Sequence, residues 1–248
     1  MKIKNILISQ PKPEVEKSPY FDLAKKYNLK IDFRPFIKIE RIPRKDFKLT
    51  KINISDYTAI IFNSKIAIEH FFGMCEDMKV SINEGWKYFC LSESIALYLH
   101  KHITYRKRKI FFGASTIDNL IDTIKKFPDE KYLLPLSDVH KPEISEKLTK
   151  ANINFTKAIL YRTIPADVTD IDISNYQVLV FFSPVGVASL KQNFPDFKQD
   201  ETCIGAFGLT TASMVENLKL RLDIKAPTPE APSITAALEL FVKERNGK

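Results

Sequence analysis

Ala59-Ile60-Ile61-Phe62-Asn63-Ser64-Lys65-Ile66-Ala67-Ile68-Glu69-His70-Phe71 is an apolar run that ends at a serine and passes into a helical pattern. Val178-Leu179-Val180-Phe181-Phe182-Ser183-Pro184-Val185-Gly186-Val187-Ala188-Ser189-Leu190 repeats it. Continuous apolar runs suit strands covered on both faces, as in a parallel sheet. A serine at the end of such a run suits an N-cap that accepts a backbone N–H of the following helix. Ser64 and Ser183 would then stand at strand carboxyl ends, beside helix N-termini. Open α/β sheets bind ligands at that edge, and helix N-termini favour anions there.

The repeat continues. Tyr88-Phe89-Cys90-Leu91-Ser92-Glu93-Ser94-Ile95-Ala96 parallels Ile204-Gly205-Ala206-Phe207-Gly208-Leu209-Thr210-Thr211-Ala212, each a strand, small polar residues and a helix. The offsets, 119 residues (59 to 178) and 116 (96 to 212), keep order and spacing. Two copies of one α/β domain type follow. Elsewhere strand-like runs and amphipathic helices alternate, the pattern of α/β architecture. Helices are expected at 15–27, 65–77, 93–101, 116–126, 142–150, 184–193, 210–219 and 232–245, with Ser115 and Ser233 as caps for two of them.

Two strand-like segments, Arg34–Glu40 and Ala158–Ile164, fall outside the repeated units, and each is followed by a proline (Pro43, Pro165). If they pair, the chain leaves one domain and later returns to it. The expected layout is a first domain of 1–35 plus 165–248, an inserted domain of 41–156, and linker strands at 36–40 and 157–164.

Composition narrows the function. The 248 residues are 44% hydrophobic, enough for a packed core, and carry a net charge of +8. A basic balance attracts anions without choosing among nucleic acid, phosphates and polycarboxylates. The aromatics sit inside apolar runs and are not interleaved with the Arg106-Lys107-Arg108-Lys109 cluster, so nucleic acid is not an expected partner. Three scattered cysteines (Cys75, Cys90, Cys203) form neither a disulfide framework nor a zinc pattern. No apolar stretch is long enough to span a bilayer, and a cytoplasmic setting without membrane association is expected. Gly-x-Gly-x-x-Gly, Walker A and Gly-x-Ser-x-Gly motifs are missing, and no acidic residue stands near His100-Lys101-His102 in the sequence. No metal and no cofactor is expected. Chemistry is left to hydroxyls, backbone amides and charge.

The remaining constellation runs Tyr161-Arg162-Thr163, Phe181-Phe182-Ser183-Pro184-Val185-Gly186-Val187, Ile204–Ala212 and Pro227-Thr228-Pro229-Glu230. Its order and spacing resemble the uroporphyrinogen-III synthase family, and Ile61-Phe62-Asn63-Ser64 matches the corresponding segment of the first half. There are differences. Ser9-Gln10-Pro11 stands where Thr-Arg-Pro is frequent, Lys65 where proline is frequent, Phe207 in an isoleucine place, and Ser137 and Lys141 where a glycine and an arginine are found.

The resemblance implies two open-sheet, flavodoxin-like α/β domains joined by a two-stranded linker, and no cofactor. It implies closure of hydroxymethylbilane, a linear tetrapyrrole with eight carboxylates, to uroporphyrinogen III, with inversion of ring D and loss of water. It makes Tyr161 the catalytic candidate for departure of the hydroxyl. Ser64, Ser92, Ser137, Lys141, Ser183, Gly186, Gly208, Thr210 and Thr211 are the candidates for holding substrate. The rival reading is a two-domain anion-binding module without catalysis; it predicts saturable binding and no product.

Overall fold

The computed structural model describes residues 2–15 and 17–247. In chain order the elements are β1 (Asn5–Ile8), α1 (Pro19–Tyr27), β2 (Lys30–Phe33), β3 (Ile37–Arg41), α2 (Arg44–Leu49), β4 (Ala59–Phe62), α3 (Lys65–Met78), β5 (Lys87–Cys90) and α4 (Glu93–Tyr98). They continue with β6 (Ile110–Phe112), α5 (Ile117–Ile124), β7 (Tyr132–Ser137), α6 (Glu143–Lys150), β8 (Phe155–Pro165), β9 (Val178–Phe181), α7 (Pro184–Asn193), β10 (Cys203–Phe207), α8 (Leu209–Asn217), β11 (Ile224–Ala226) and α9 (Ile234–Asn246).

The chain divides into two compact units. One contains the residues up to Lys38 and from Ile164 onward; the other is Ile39–Thr163. The divisions fall within β3 and β8. The first unit has a parallel sheet in the order β11-β10-β9-β1-β2. The second has the order β3-β8-β7-β4-β5-β6, with β8 through β6 parallel.

These orders carry the same architecture in permuted chains. In the first unit, β2-β1-β9-β10-β11 is the doubly wound order 2-1-3-4-5. In the second, β8-β7-β4-β5-β6 occupies the same places, with β7 where β1 lies and β4 where β9 lies. The two sequence repeats thus coincide with equivalent strands, β4 with β9 and β5 with β10.

Strand periodicity sorts each core onto two faces. Ile6, Ile8, Val178 and Val180 pack with α1 and α9 residues such as Leu23 and Leu238, while Leu7, Leu179 and Phe181 pack with Val187 and Val215 of α7 and α8. In the second unit Ile60, Phe62 and Tyr88 meet Ile68, Phe71 and Ala96 of α3 and α4. Ala59, Ile61 and Phe89 meet Leu120 and Leu148 of α5 and α6.

Three local details differ from the sequence expectation. The helix expected from residue 15 begins at Pro19, and residue 16 of that span lies outside the described residues. Thr116, not Ser115, caps α5: its Oγ1 accepts the Asn119 N–H at 3.5 Å, and Ser115 takes φ +69° in the turn before it. α2 was not expected, because six residues give too little periodicity; the fully buried Phe47 holds it in place. Ser233 does cap α9, accepting the Ala236 N–H at 3.1 Å.

Candidate active site

Each sheet has one place where chain order reverses about a strand, the position at which doubly wound sheets leave a crevice at their carboxyl edge. In the first unit it lies between β1 and β9, whose ends are followed by Ser9 and Ser183. In the second it lies between β7 and β4, which lead to Ser137 and Ser64.

Ser64 has extended backbone (φ −159°, ψ 160°), and its Oγ accepts the Ala67 N–H at 3.1 Å, so the helix α3 starts there. Tyr161 on β8 comes to the same corner. It is 7% exposed and lies opposite Ser137 in the β7–β8 register. Burial raises its phenol above the ordinary tyrosine range, and Ser64 beside it lowers it in part. The phenol therefore keeps its proton at neutral pH.

Sequence reasoning missed two neighbours, His70 and Arg41. The His70 imidazole stacks on the Tyr161 ring, with centroids 4.7 Å apart and planes 17° apart. Burial, then the nearby Arg41 cation, lower its pKa. Arg41 Nη1 donates to Asp77 Oδ2 at 2.9 Å, and its guanidinium covers Gly73, where an added Cβ would lie 1.8 Å from Nη2. Among the described residues, Asn63 Oδ1 and His70 Nδ1 are buried without hydrogen-bond partners. No motif signalled His70; its only sequence cue is an imidazole beside Glu69 in an otherwise apolar stretch of α3.

Ser92 precedes α4 and, without accepting a capping bond, faces Ser94 Oγ at 3.1 Å. Ser137 is buried and donates to Asp138 Oδ1 at 2.9 Å. That carboxylate also accepts the Val139 and Thr163 N–H groups at 2.8 and 3.2 Å. Ser137 thus already has an anion beside it, and Lys141 is an exposed cation four residues on.

In the first unit Ser183 caps α7 and its Oγ accepts the Gly186 N–H at 3.1 Å. Gly186 is buried, and a Cβ there would lie 3.3 Å from Ser183 Oγ. On the adjacent strand Gly208 turns β10 into α8 with φ +89° and ψ 149°, a backbone state nearly restricted to glycine. Its N–H donates to Ala226 O at 2.7 Å. Thr210 is exposed on the first turn, whereas Thr211 is 1% exposed and belongs to the core. Ser64, Ser137 and Tyr161 are thus gathered in one unit, and Ser183, Gly186, Gly208 and Thr210 at one edge of the other.

Among the described residues no group of three or more His, Cys, Asp or Glu is placed to hold a metal ion, and no helix is long and apolar enough to cross a membrane. The fold and these edges define a chain of two parallel α/β sheets, each presenting serine-capped helix N-termini at its reversal point. A family model, Uroporphyrinogen-III synthase HemD, matches residues 19–236, and the chain belongs to that family. It is therefore an enzyme of the lyase class, a uroporphyrinogen-III synthase of tetrapyrrole biosynthesis.

Comparison with curated proteins returns no match. Among solved structures, the chain is similar to uroporphyrinogen-III synthetase from Helicobacter pylori, at 16% identity and TM-score 0.53, over 98% of this chain and 100% of that one. It also matches a mutant uroporphyrinogen III synthase from the extremely thermophilic bacterium Thermus thermophilus at 12% identity and TM-score 0.47, over 99% and 100%. At 16% identity the first of these speaks for the fold.

Proposed function

We propose that the substrate is hydroxymethylbilane, that serine-capped helix N-termini hold its carboxylates, and that Tyr161 assists departure of its hydroxyl. The observation that carries this reading is the place of the Tyr161 phenol, on β8 opposite Ser137 and beside Ser64 at the capped start of α3. The leaving hydroxyl needs a proton, and the phenol bears one. Loss of water leaves an azafulvenium cation. Ring closure must then occur at the substituted carbon of ring D, through a spiro intermediate, before uncatalysed closure yields the type I isomer. Holding one folded conformer is a proximity and orientation effect.

The carboxylate contacts follow from local structure. Ser64 and Ser183 spend their Oγ acceptors on capping bonds and Ser64 also faces the Tyr161 phenol, which leaves the Ser183 hydroxyl hydrogen and the other first-turn N–H groups to meet carboxylates. Thr210 adds an exposed hydroxyl, and Thr211 contributes packing and its backbone. Ser92 and Lys141 extend the reach of the second unit. Ser137 positions Asp138 and β8, because its carboxylate neighbour disfavours a second anion. A net charge of +8 supports attraction of a polycarboxylate and needs no nucleic-acid partner. Three free, buried thiols support a cytoplasmic setting.

The test is turnover of hydroxymethylbilane with chromatographic separation of the type I and type III isomers. Type III in excess, with KM rising with salt, is the expected result. Type I alone, at the rate of the uncatalysed reaction, would overturn the proposal.

A further inference from the structure

His70 is not accounted for by the chemistry above, nor by the fold. Its Nδ1 is buried without a partner, so no hydrogen bond at that atom sets the plane of its ring. What does set the plane is Tyr161, whose ring lies 4.7 Å away and within 17° of parallel. The contact joins the second turn of α3 to β8, and so links the helix that Ser64 caps to the strand that carries the phenol. Core packing limits the Tyr161 side chain to few rotamers, and the ring contact with His70 selects among them. Here the flat imidazole covers one face of the phenol.

Burial first, and the Arg41 cation second, keep this clamp uncharged. Arg41 on β3 places a cation near the imidazole; its Nη1 pairs with Asp77 and its guanidinium lies over Gly73, while its Nε is, among the described residues, buried without a partner. Glu69 on α3 pulls the other way, and it is shared with Tyr98, whose hydroxyl donates to it at 2.5 Å, and with His102 Nε2 at 3.4 Å. Tyr161 on β8 is neutral. An imidazolium against the ring would stabilise a phenolate; a neutral imidazole leaves the proton on the phenol.

We propose that His70 is a positioning residue for the reaction: its imidazole, stacked flat on Tyr161, holds the phenol in the orientation from which it serves the leaving hydroxyl. The proposal rests on the role of Tyr161 given above. It separates a planar clamp from mere filling of space, because a planar ring without nitrogens replaces the first and a branched aliphatic side chain replaces only the second.

The experiment compares His70→Phe, His70→Leu and His70→Ala, each alone and combined with Tyr161→Phe, in steady-state assays of type III formation. His70→Leu and His70→Ala are expected to lower kcat about 10- to 100-fold with little change in KM, the loss typical of a misplaced group. His70→Phe is expected to recover most of that loss. Neither substitution should lower kcat further once Tyr161→Phe has been made. Labelling tyrosine at the ring carbon bearing the hydroxyl gives a second readout by NMR titration: the Tyr161 midpoint should fall in His70→Ala, as solvent reaches the phenol, and stay in His70→Phe. Equal kcat in His70→Leu and His70→Phe, or full additivity with Tyr161→Phe, would overturn the clamp. If Tyr161→Phe itself leaves kcat unchanged, the underlying reading fails instead. Should His70→Ala not fold, the Leu and Phe pair still decides.

Discussion

Tyr161→Phe removes a single hydroxyl and keeps the ring. The ring is 7% exposed and its stack on His70 depends on the aromatic face alone, so packing survives the change. Ser64 is not left bare, because its Oγ still accepts the Ala67 N–H. The cost to stability is at most one neutral hydrogen bond, about 1 kcal/mol. The cost to catalysis is larger. A positioned acid is worth about 10²–10⁴ in rate, or roughly 3–5 kcal/mol of barrier. Hydroxymethylbilane also loses its hydroxyl unaided, which places the expected loss at the lower end, about 10²-fold in type III formation. The assay is a quenched time course with isomer separation, run beside equilibrium denaturation. The type III share of product should fall, because spontaneous closure to type I then competes. A variant of normal stability that forms type III at the parental rate would refute the reasoning.

Other consequences are local. Ser183→Ala removes the α7 cap and should destabilise the chain by about 1 kcal/mol in denaturant unfolding; in turnover it should raise KM, and an unchanged KM would remove Ser183 from the substrate contacts. Gly208→Ala meets no steric neighbour but forces an L-residue into φ +89°, so a loss on the order of 1–3 kcal/mol is expected from backbone conformation alone. Thr210→Val should raise KM several-fold with stability unchanged, whereas Thr211→Val, at a core position, should act on unfolding midpoints. Because the folded chain lowers the pKa of His70, the unfolded chain binds the extra proton near its ordinary value of about 6.5. Stability should therefore fall as pH drops through that value, and His70→Phe should flatten that part of the pH–stability curve.

Much of the fold was legible because parallel strands covered on both faces leave continuous apolar runs. β4, β9 and β10 could be read for that reason, and serines at the ends of β4 and β9 marked the helix starts. Cap choice was less legible. Ser115 and Thr116 are both competent, and only the turn geometry gives the role to Thr116. Thr210 and Thr211 look equivalent in sequence, yet neighbouring residues on a helix point about 100° apart, and one meets solvent while the other enters the core. His70 was invisible as a site residue: its partner is on β8, and no local pattern encodes a contact between distant segments.

The sequence by itself determined the α/β class, the repeated strand–serine–helix units and the family resemblance, because burial on both strand faces and helix capping are written in nearby residues. Tertiary structure alone decided the strand order, in which β7 and β8 take the places that β1 and β2 hold in the other sheet. It also decided that Ser64, His70, Arg41 and Tyr161 share one corner. These depend on pairings between segments far apart in the chain, where the outcome is set by which edges and faces can be buried together.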